Sequence, residues 1–258
     1  MEYAEYIRKF DALTARYIPQ KADWTPSDHA VYSPSHYFRI EKREADDLRY
    51  KAVRFQLNRH YNGNRTYRTY CEEKGFHPDS LRSAEDLDQV PVVSADFFKT
   101  YPSGRDFALW LANIYTGELP RVRIRSKDPT PDEVIDSFNQ AGMAVAYSSG
   151  TSGRHTFIPR DMRAFHSNEY SLSKGAISMF FPRWGPDMRS FLMMPNPFKT
   201  NLFAGRLGTV MYDIMKDVEV ALDREVNTET VRQSMAKGDT LVSKLTKYVV
   251  SRTTQRSV

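Results

Sequence analysis

The most informative stretch of this chain is Tyr147-Ser148-Ser149-Gly150-Thr151-Ser152-Gly153, which combines hydroxyl side chains with two glycines. The preceding residues 143–146, Met-Ala-Val-Ala, are apolar and predict a short buried strand that enters this stretch. The following residues 156–159, Thr-Phe-Ile-Pro, predict a second short strand that leaves it. Together they predict a strand, a Ser/Gly loop and a second strand over residues 143–159.

The composition of this loop is typical of a phosphate-binding site. Gly150 and Gly153 allow the backbone to turn tightly and to approach a ligand closely. Successive backbone N–H groups in such a turn can converge on an anion. The hydroxyl donors are those of Ser148, Ser149, Thr151 and Ser152, and the nearest positive charges are those of Arg154 and Arg160.

A flexible Ser/Gly linker is the alternative interpretation of the same residues. The strand-like flanks and the short, non-repetitive composition favour a phosphate site. The loop is not a Walker A motif, because the Gly-Lys-Ser/Thr ending of that motif is missing. We expect the loop at the surface, so that Gly150→Val should impair ligand binding and change folding little.

Length and composition describe an ordinary water-soluble chain. Its 258 residues suffice for one large domain or two small ones, and 40% are hydrophobic and 27% charged. No apolar run approaches the roughly 18 residues of a membrane span, and no secretory signal is recognised at the N-terminus. The single cysteine, Cys71, cannot form an intramolecular disulfide and predicts a cytoplasmic protein.

The net charge of +5 is modest, and the densest basic segment is residues 121–125, Arg-Val-Arg-Ile-Arg. This alternation predicts a strand with one wet face and one buried face. A nucleic-acid surface is the alternative, but no groove-reading motif accompanies the segment. We therefore predict no nucleic-acid partner.

The remaining apolar patterns predict a mixed fold. Residues 18–40, rich in Pro, Ser and aromatics, predict an extended cover segment. Helices are predicted over residues 2–17, 41–60, 65–74, 132–140, 161–180, 203–215 and from 228 to about 248, and strands over 189–194 and 217–221. This alternation predicts an α/β fold with a mostly parallel sheet flanked by helices. We divide the chain into a helical N-terminal region (1–105), an α/β nucleotide-phosphate-binding region (106–250) and a polar tail (251–258).

The loop resembles the phosphate-binding loop of the adenylate-forming superfamily, which includes acyl-CoA synthetases, adenylation domains and luciferases. That loop has an aromatic residue, two hydroxyl residues and Gly-Thr-Thr-Gly, with a later Pro-Lys-Gly. Residues 90–99, Val-Pro-Val-Val-Ser-Ala-Asp-Phe-Phe-Lys, are similar to a segment of acyl-protein synthetases and phenylacetate-CoA ligases. Residues 191–198 resemble the strand and loop that follow the first helix in these enzymes. Acyl-protein synthetases of bacterial bioluminescence operons are the nearest branch, and auxin-type amido synthetases are a second relative.

The resemblance implies a partial adenylate-forming N-terminal domain that uses ATP and Mg²⁺. Such an enzyme activates a fatty or aryl carboxylic acid as an acyl adenylate and transfers the acyl group to CoA or to an acyl-acceptor protein. The phosphate-binding residues it implies are Ser148, Ser149, Gly150, Thr151, Ser152, Gly153 and Arg154.

The resemblance covers about residues 85–220 and has gaps. His155-Thr156-Phe157 replaces Pro-Lys-Gly, and no later Tyr-Gly-x-Thr-Glu, Thr-Gly-Asp or catalytic lysine motif follows. The chain therefore looks like an N-terminal portion, and we assign it no catalytic residue and no Mg²⁺ ligand. A non-catalytic nucleotide- or phosphate-binding module is the alternative function.

Other residues are weaker candidates. Asn196 and Phe198 are predicted to line an acyl pocket, with plain packing and turn formation around the neighbouring prolines as the equal alternative. His155 and His166 could touch phosphate or acyl groups, although surface histidines are the commoner case. Cys71 is predicted to be a buried helical residue. His29, His36 and Asp28 lack convincing metal-site spacing.

Overall fold

A computed structural model describes residues 1–150 and 154–236 of the chain, with side chains to residue 233. The fold is mixed α/β, 55% helical, and the described residues form two sheets of two strands each. The helices are α1 (Tyr3–Leu13), α2 (Pro26–Tyr32), α3 (Lys42–Gly63), α4 (Arg65–Glu73), α5 (Gly104–Ile114), α6 (Pro131–Gln140), α7 (Met162–Met179), α8 (Phe203–Arg206), α9 (Met211–Ile214) and α10 (Thr228–Ala236). The strands are β1 (Met143–Tyr147), β2 (Phe157–Asp161), β3 (Arg189–Pro195) and β4 (Asp217–Leu222).

The two sheets differ in direction. β1 and β2 are antiparallel, from the Met143–Asp161 pair to the Tyr147–Phe157 pair, and form the hairpin predicted over residues 143–159. β3 and β4 are parallel, starting from the pair of residues 189 and 217. The α/β class is thus confirmed, whereas the described residues do not confirm a mostly parallel sheet.

Two parallel bridges connect these elements with the segment around residue 200. Tyr147 at the end of β1 bridges to Leu202, and Thr200 bridges to Val226. The segment that follows β3 therefore runs beside the end of β1, and the chain after β4 runs beside that segment. This arrangement brings the beginning of α10 close to the Ser/Gly loop.

Local sequence explains where several helices begin and end. Thr130 and Glu133 form a capping box at the start of α6, with proline at the first helical position. Asp161 caps α7 by accepting a hydrogen bond from the Ala164 N–H at 2.7 Å. Gly75, at φ +65°, follows α4 as the predicted glycine stop.

Residues 18–40 are not simply extended, because they contain α2. Thr25 and Asp28 form a capping box around Pro26, which stands at the first helical position. The buried Asp28 carboxylate also accepts a hydrogen bond from Arg163 on α7 at 2.6 Å. The Thr-Pro-Ser-Asp signal for this helix is present in the sequence at residues 25–28.

Two further predictions need correction. Residues 121–125 belong to no strand among the described residues, although Val122 and Ile124 do pack against the core as the alternation implies. Residues 203–215 form two one-turn α-helices, α8 and α9, joined by a 3₁₀ turn instead of one helix. A side chain on Gly205 would lie 2.6 Å from the Thr200 Cγ2, so close packing here requires glycine.

The core that positions the hairpin lies between β1, β2, α5 and α6. It is built from Phe107, Leu111, Val134, Ile135, Phe138, Met143, Val145, Tyr147, Phe157, Leu202, Val226 and Val231. A second core joins α1 to α7, and Cys71 is buried in a third, as predicted. No described helix is both long and apolar enough to cross a membrane. The predicted helical residues 237–248 and the tail 251–258 lie outside the described residues.

Candidate functional site

The first half of the loop is fixed by the end of β1. Tyr147 is buried, its N–H donates to the Asn201 carbonyl at 3.1 Å, and its hydroxyl donates to the Val226 carbonyl at 3.0 Å. The ring packs against Phe157 across the hairpin. These contacts hold the aromatic residue that precedes the hydroxyl run in a single position.

Ser148 continues the hairpin by one pair beyond the strands. Its N–H donates to the Thr156 carbonyl at 3.0 Å, and its hydroxyl oxygen accepts a hydrogen bond from the Thr156 N–H at 2.9 Å. A hydroxyl that accepts one hydrogen bond still has its own hydrogen to donate. Ser148 can therefore close the loop and donate to an anion at the same time.

His155 is buried, which corrects the expectation of a surface histidine. Its Nδ1 lies 2.8 Å from the Ser148 carbonyl oxygen, and its Nε2 lies 3.3 Å from the Thr228 carbonyl oxygen. The ring also packs edge-on against Tyr147, with 5.1 Å between ring centroids. His155 thus joins the loop to α10. Sequence reasoning missed this role because the partner at residue 228 is distant in sequence.

Gly150 adopts a conformation that favours glycine. Its φ is +71°, and a Cβ there would lie 2.9 Å from the Nδ1 of His155. The residue is buried against the imidazole ring. The expectation that Gly150→Val changes folding little is therefore wrong, because the added side chain meets both backbone strain and a buried ring.

The other predicted phosphate-binding residues are only partly visible. The N–H groups of Ser149 and Gly150 donate to no residue within the described parts of the chain. The exposed Arg154 guanidinium makes a long hydrogen bond of 3.3 Å to the Lys99 carbonyl. Residues Thr151, Ser152 and Gly153 lie outside the described residues. The structure thus brings Ser148, Ser149, Gly150 and Arg154 together in one loop.

An open cleft of about 420 Å³ lies beside the β-bridge between Thr200 and Val226. It is lined by Asp132, Asp136, Phe198, Lys199, Thr200, Asn201, Glu225, Val226 and Asn227. Burial raises the pKa of Asp136, a hydrogen bond from Asn201 opposes the rise, and the carboxylates of Asp132 and Glu225 add to it. Because three carboxyl side chains line the cleft, it disfavours binding of the carboxylate group of an acid substrate.

The two predicted substrate-binding residues differ in their surroundings. The exposed Phe198 lines the cleft and packs edge-on against Tyr212. The Asn196 side chain accepts a hydrogen bond from the Phe198 N–H at 2.9 Å and donates to Asp223 at 2.8 Å, which forms a turn. The acyl-pocket role stays a prediction for both residues, and Asn196 has an evident structural role.

The remaining candidates are explained by packing. Burial raises the pKa of the Cys71 thiol, which makes this cysteine a poor nucleophile. His166 is half-buried on α7, and burial lowers its pKa, with the charges of Arg16 and Arg206 lowering it further. Within residues 1–150 and 154–236, no group of three His, Cys, Asp or Glu side chains could hold a metal ion.

A scan against protein-family models found no match to the chain, and neither a curated protein nor a solved structure matches it. The resemblance to adenylate-forming enzymes therefore rests on the sequence motifs described above.

Proposed function

We propose that the loop 147–153 binds the phosphates of ATP, and that the chain takes part in activating a carboxylic acid as an acyl adenylate. The acid is a fatty or aryl acid, and the acyl group passes to CoA or to an acceptor protein. The chain would share the fold of the N-terminal domain of adenylate-forming enzymes, with a mostly parallel sheet, and it would act in the cytoplasm.

The observation that supports this proposal is a Ser/Gly loop held at both ends on a buried hairpin. Ser148 and His155 tie its two ends together, and Gly150 at φ +71° turns the backbone between them. Backbone N–H groups of Ser149 and Gly150 would donate to phosphate oxygens in such a turn. A flexible linker would not require such anchors.

The proposed reaction depends mainly on how the protein positions the nucleotide and the carboxylate. The N–H groups of the loop, the Ser148 hydroxyl and the Arg154 guanidinium would hold the leaving β- and γ-phosphates in line with the attacking carboxylate. Mg²⁺ would neutralise phosphate charge and needs few protein ligands.

The proposal is tested by calorimetry with Mg-ATP and Mg-pyrophosphate at millimolar concentration, on the protein and on its Gly150→Val variant. We expect weak binding that pyrophosphate competes away and that is lost in Gly150→Val at a temperature where thermal melts show this variant to be folded. Gly75→Val is the matched control, because Gly75 has φ +65° and open space around its Cα. It imposes similar backbone strain far from the loop and should leave binding unchanged.

Pyrophosphate–ATP exchange in the presence of octanoate or phenylacetate would favour the ligase. Binding without exchange fits both candidate functions, because the sequence has no Thr-Gly-Asp or catalytic lysine motif. Absence of pyrophosphate-sensitive binding in the protein would overturn both, since both depend on the loop.

A further inference from the structure

Exposed basic side chains follow one another along the segment between α5 and α6. Burial alternates in this segment, with half-buried residues at 122, 124 and 126 and exposed residues between them. Val122 and Ile124 pack against the central core. Because successive side chains of an extended chain point to opposite sides, the residues between them point away from the core. We call these outward residues the basic row: Arg121, Arg123, Arg125 and Lys127.

The segment that carries the basic row is attached to helices at both ends. Before the row, the buried Thr116 accepts a hydrogen bond at its carbonyl from Arg59 of α3 at 3.0 Å. The Thr116 hydroxyl oxygen also lies 2.8 Å from the Nδ1 of His60. Near the end of the row, the guanidinium of Arg105 in the first turn of α5 donates to the Ser126 carbonyl at 3.2 and 3.0 Å. The row is therefore held on the molecule by its two ends and by its inward side chains.

The basic row concentrates positive charge on one side of this segment. Residues 119–127 contain its four cations and no Asp or Glu, and the carboxylates of Glu118 and Asp128 flank them along the chain. No salt bridge formed within residues 1–150 and 154–236 involves the row. Like charges at neighbouring positions repel one another, and a partner of opposite charge relieves that repulsion.

The spacing of the basic row favours an extended acidic peptide over a nucleic acid. Alternate residues of an extended chain lie about 6–7 Å apart, so a peptide with Glu or Asp at every second position has the same repeat as the row. Such a peptide can place one carboxylate opposite each cation, and a guanidinium group can donate two parallel hydrogen bonds to a carboxylate. Single-stranded nucleic acids are bound by basic grooves that also offer aromatic side chains for stacking. Here the basic residues alternate with the aliphatic Val122 and Ile124, which face the core.

We propose that the basic row is a docking surface for an acidic segment of a partner protein, bound in an extended conformation with acidic residues at every second position. Exposed ion pairs are individually weak and are screened by salt, so binding is weak, depends on all four pairs together and falls as salt is added. The surface includes none of the loop residues 147–153. The inference therefore goes beyond the proposed function and does not depend on it.

The experiment measures binding of two fluorescently labelled octapeptides to the protein by anisotropy at low ionic strength. One peptide alternates glutamate with serine, and the other has four consecutive glutamates followed by four serines. In an extended conformation the first peptide directs four carboxylates to one side and the second only two. We therefore expect the alternating peptide to bind about fivefold more tightly. Equal binding of the two peptides, or binding of neither at about 1 mM, would overturn the proposal.

Labelled pentauridylate, which carries four phosphates, is the nucleic-acid probe with matched charge. We expect it to bind more weakly than the alternating peptide, because the basic row offers no aromatic side chain for its bases. Tighter binding of pentauridylate would assign the row to nucleic acid and would overturn the choice of a protein partner.

A triple substitution tests whether the row itself holds the peptide. Arg121→Gln, Arg123→Gln and Arg125→Gln together should weaken binding of the alternating peptide about tenfold and leave pyrophosphate binding at the loop unchanged. The matched control removes the same charge from three exposed arginines elsewhere, with Arg43→Gln, Arg183→Gln and Arg224→Gln, and should weaken peptide binding less than about twofold.

Thermal melts check that both triple variants are folded. Unchanged peptide binding in the folded row variant, or an equal loss in the control variant, would contradict the docking surface. The comparison of the two peptides uses the unsubstituted protein, so it decides the question even if the row variant does not fold.

Discussion

The two pairs of strands are similar in size and opposite in environment. All five residues of β1 are buried, and its partner β2 begins with the buried Phe157. β3, in contrast, alternates between exposed and half-buried residues, with Phe191 43% and Met193 55% exposed. β1–β2 is fixed between helices, whereas β3–β4 forms part of the surface.

This difference indicates where each pair can contribute to function. A hairpin whose first strand is buried on both faces can hold the loop at its end, as Ser148 and His155 show by their contacts. The β3–β4 pair instead positions the segment after β3, because the Asn196 N–H donates to the Leu222 carbonyl at 3.0 Å. The anchored loop belongs to the buried pair.

The strongest test of this contrast uses one methionine from each strand pair. Met143 in β1 is 3% exposed and Met193 in β3 is 55% exposed. Met143→Ala should lower the free energy of unfolding by about 2–5 kcal/mol, because it removes buried atoms and leaves a cavity. Met193→Ala should change it by less than about 0.5 kcal/mol. Urea denaturation of both variants measures the difference, and equal losses would contradict the contrast.

A large pH-dependent effect on stability is expected at Glu169, a buried carboxyl group on α7. Its pKa is raised from an ordinary value of 4.5 to about 7 in the folded protein. Between these values the folded state holds the proton more tightly, so stability is lost as pH rises from about 4.5 to 7. Above pH 7 the buried charge of Glu169 lowers the free energy of unfolding by its full amount, roughly 3 kcal/mol.

Glu169→Gln removes this titration and keeps the size of the side chain. The variant should gain stability relative to the protein as pH rises from 5 to 8, measured as the difference in melting temperature. The difference is the informative quantity, because the lowered pKa values of His60 and His166 act on stability in the opposite direction in both proteins. A difference that does not change with pH would show that Glu169 is not desolvated.

The elements of the hairpin and of β3–β4 could be predicted because their signals are local. A short apolar run before the loop identified β1, and turn residues bounded it. The helix α5 was missed although Phe107, Leu111 and Ile114 have helical spacing. The single helix predicted over residues 203–215 is instead α8, a 3₁₀ turn and α9, and Gly208 in that turn packs close to Leu192 and Met194, a contact invisible in local sequence.

The candidate site was predictable only at the loop. The position of Arg160 beside Phe203 depends on the pairing of residues 144 and 160 and on α8, which lies more than forty residues further along the chain. Nothing in the sequence around Arg206 marks it as half-buried beside Phe165. The contact of His155 with Thr228 is equally distant in sequence. Such groups are found through tertiary packing and not through motifs.

A smaller effect on stability is expected at His155, which joins the loop to α10. A change at this residue tests the attachment of the loop separately from the packing of the strands. His155→Phe removes the ring nitrogens that lie 2.8 Å and 3.3 Å from the carbonyl oxygens of Ser148 and Thr228 and should cost about 2 kcal/mol of stability. Binding of pyrophosphate should weaken in parallel, because the loop loses its connection to α10. His29→Phe, at an exposed histidine of α2, is the control and should change neither quantity. Normal pyrophosphate binding in a folded His155→Phe variant would contradict the anchoring role.

The smallest effect is expected at the outer end of β3–β4, where Arg189 and Asp217 pair across the strands. The Arg189 Nε lies 3.7 Å from the Asp217 Oδ2, and the side chains are 79% and 53% exposed. Water and salt screen such a pair, so Arg189→Gln should lower the free energy of unfolding by less than about 0.5 kcal/mol. Urea denaturation at low salt and at high salt measures the change, which should shrink further as salt is added. A loss above about 1 kcal/mol would mean that the exposed strand pair depends on its edge contacts, and the contrast between a surface pair and a buried hairpin would then fail.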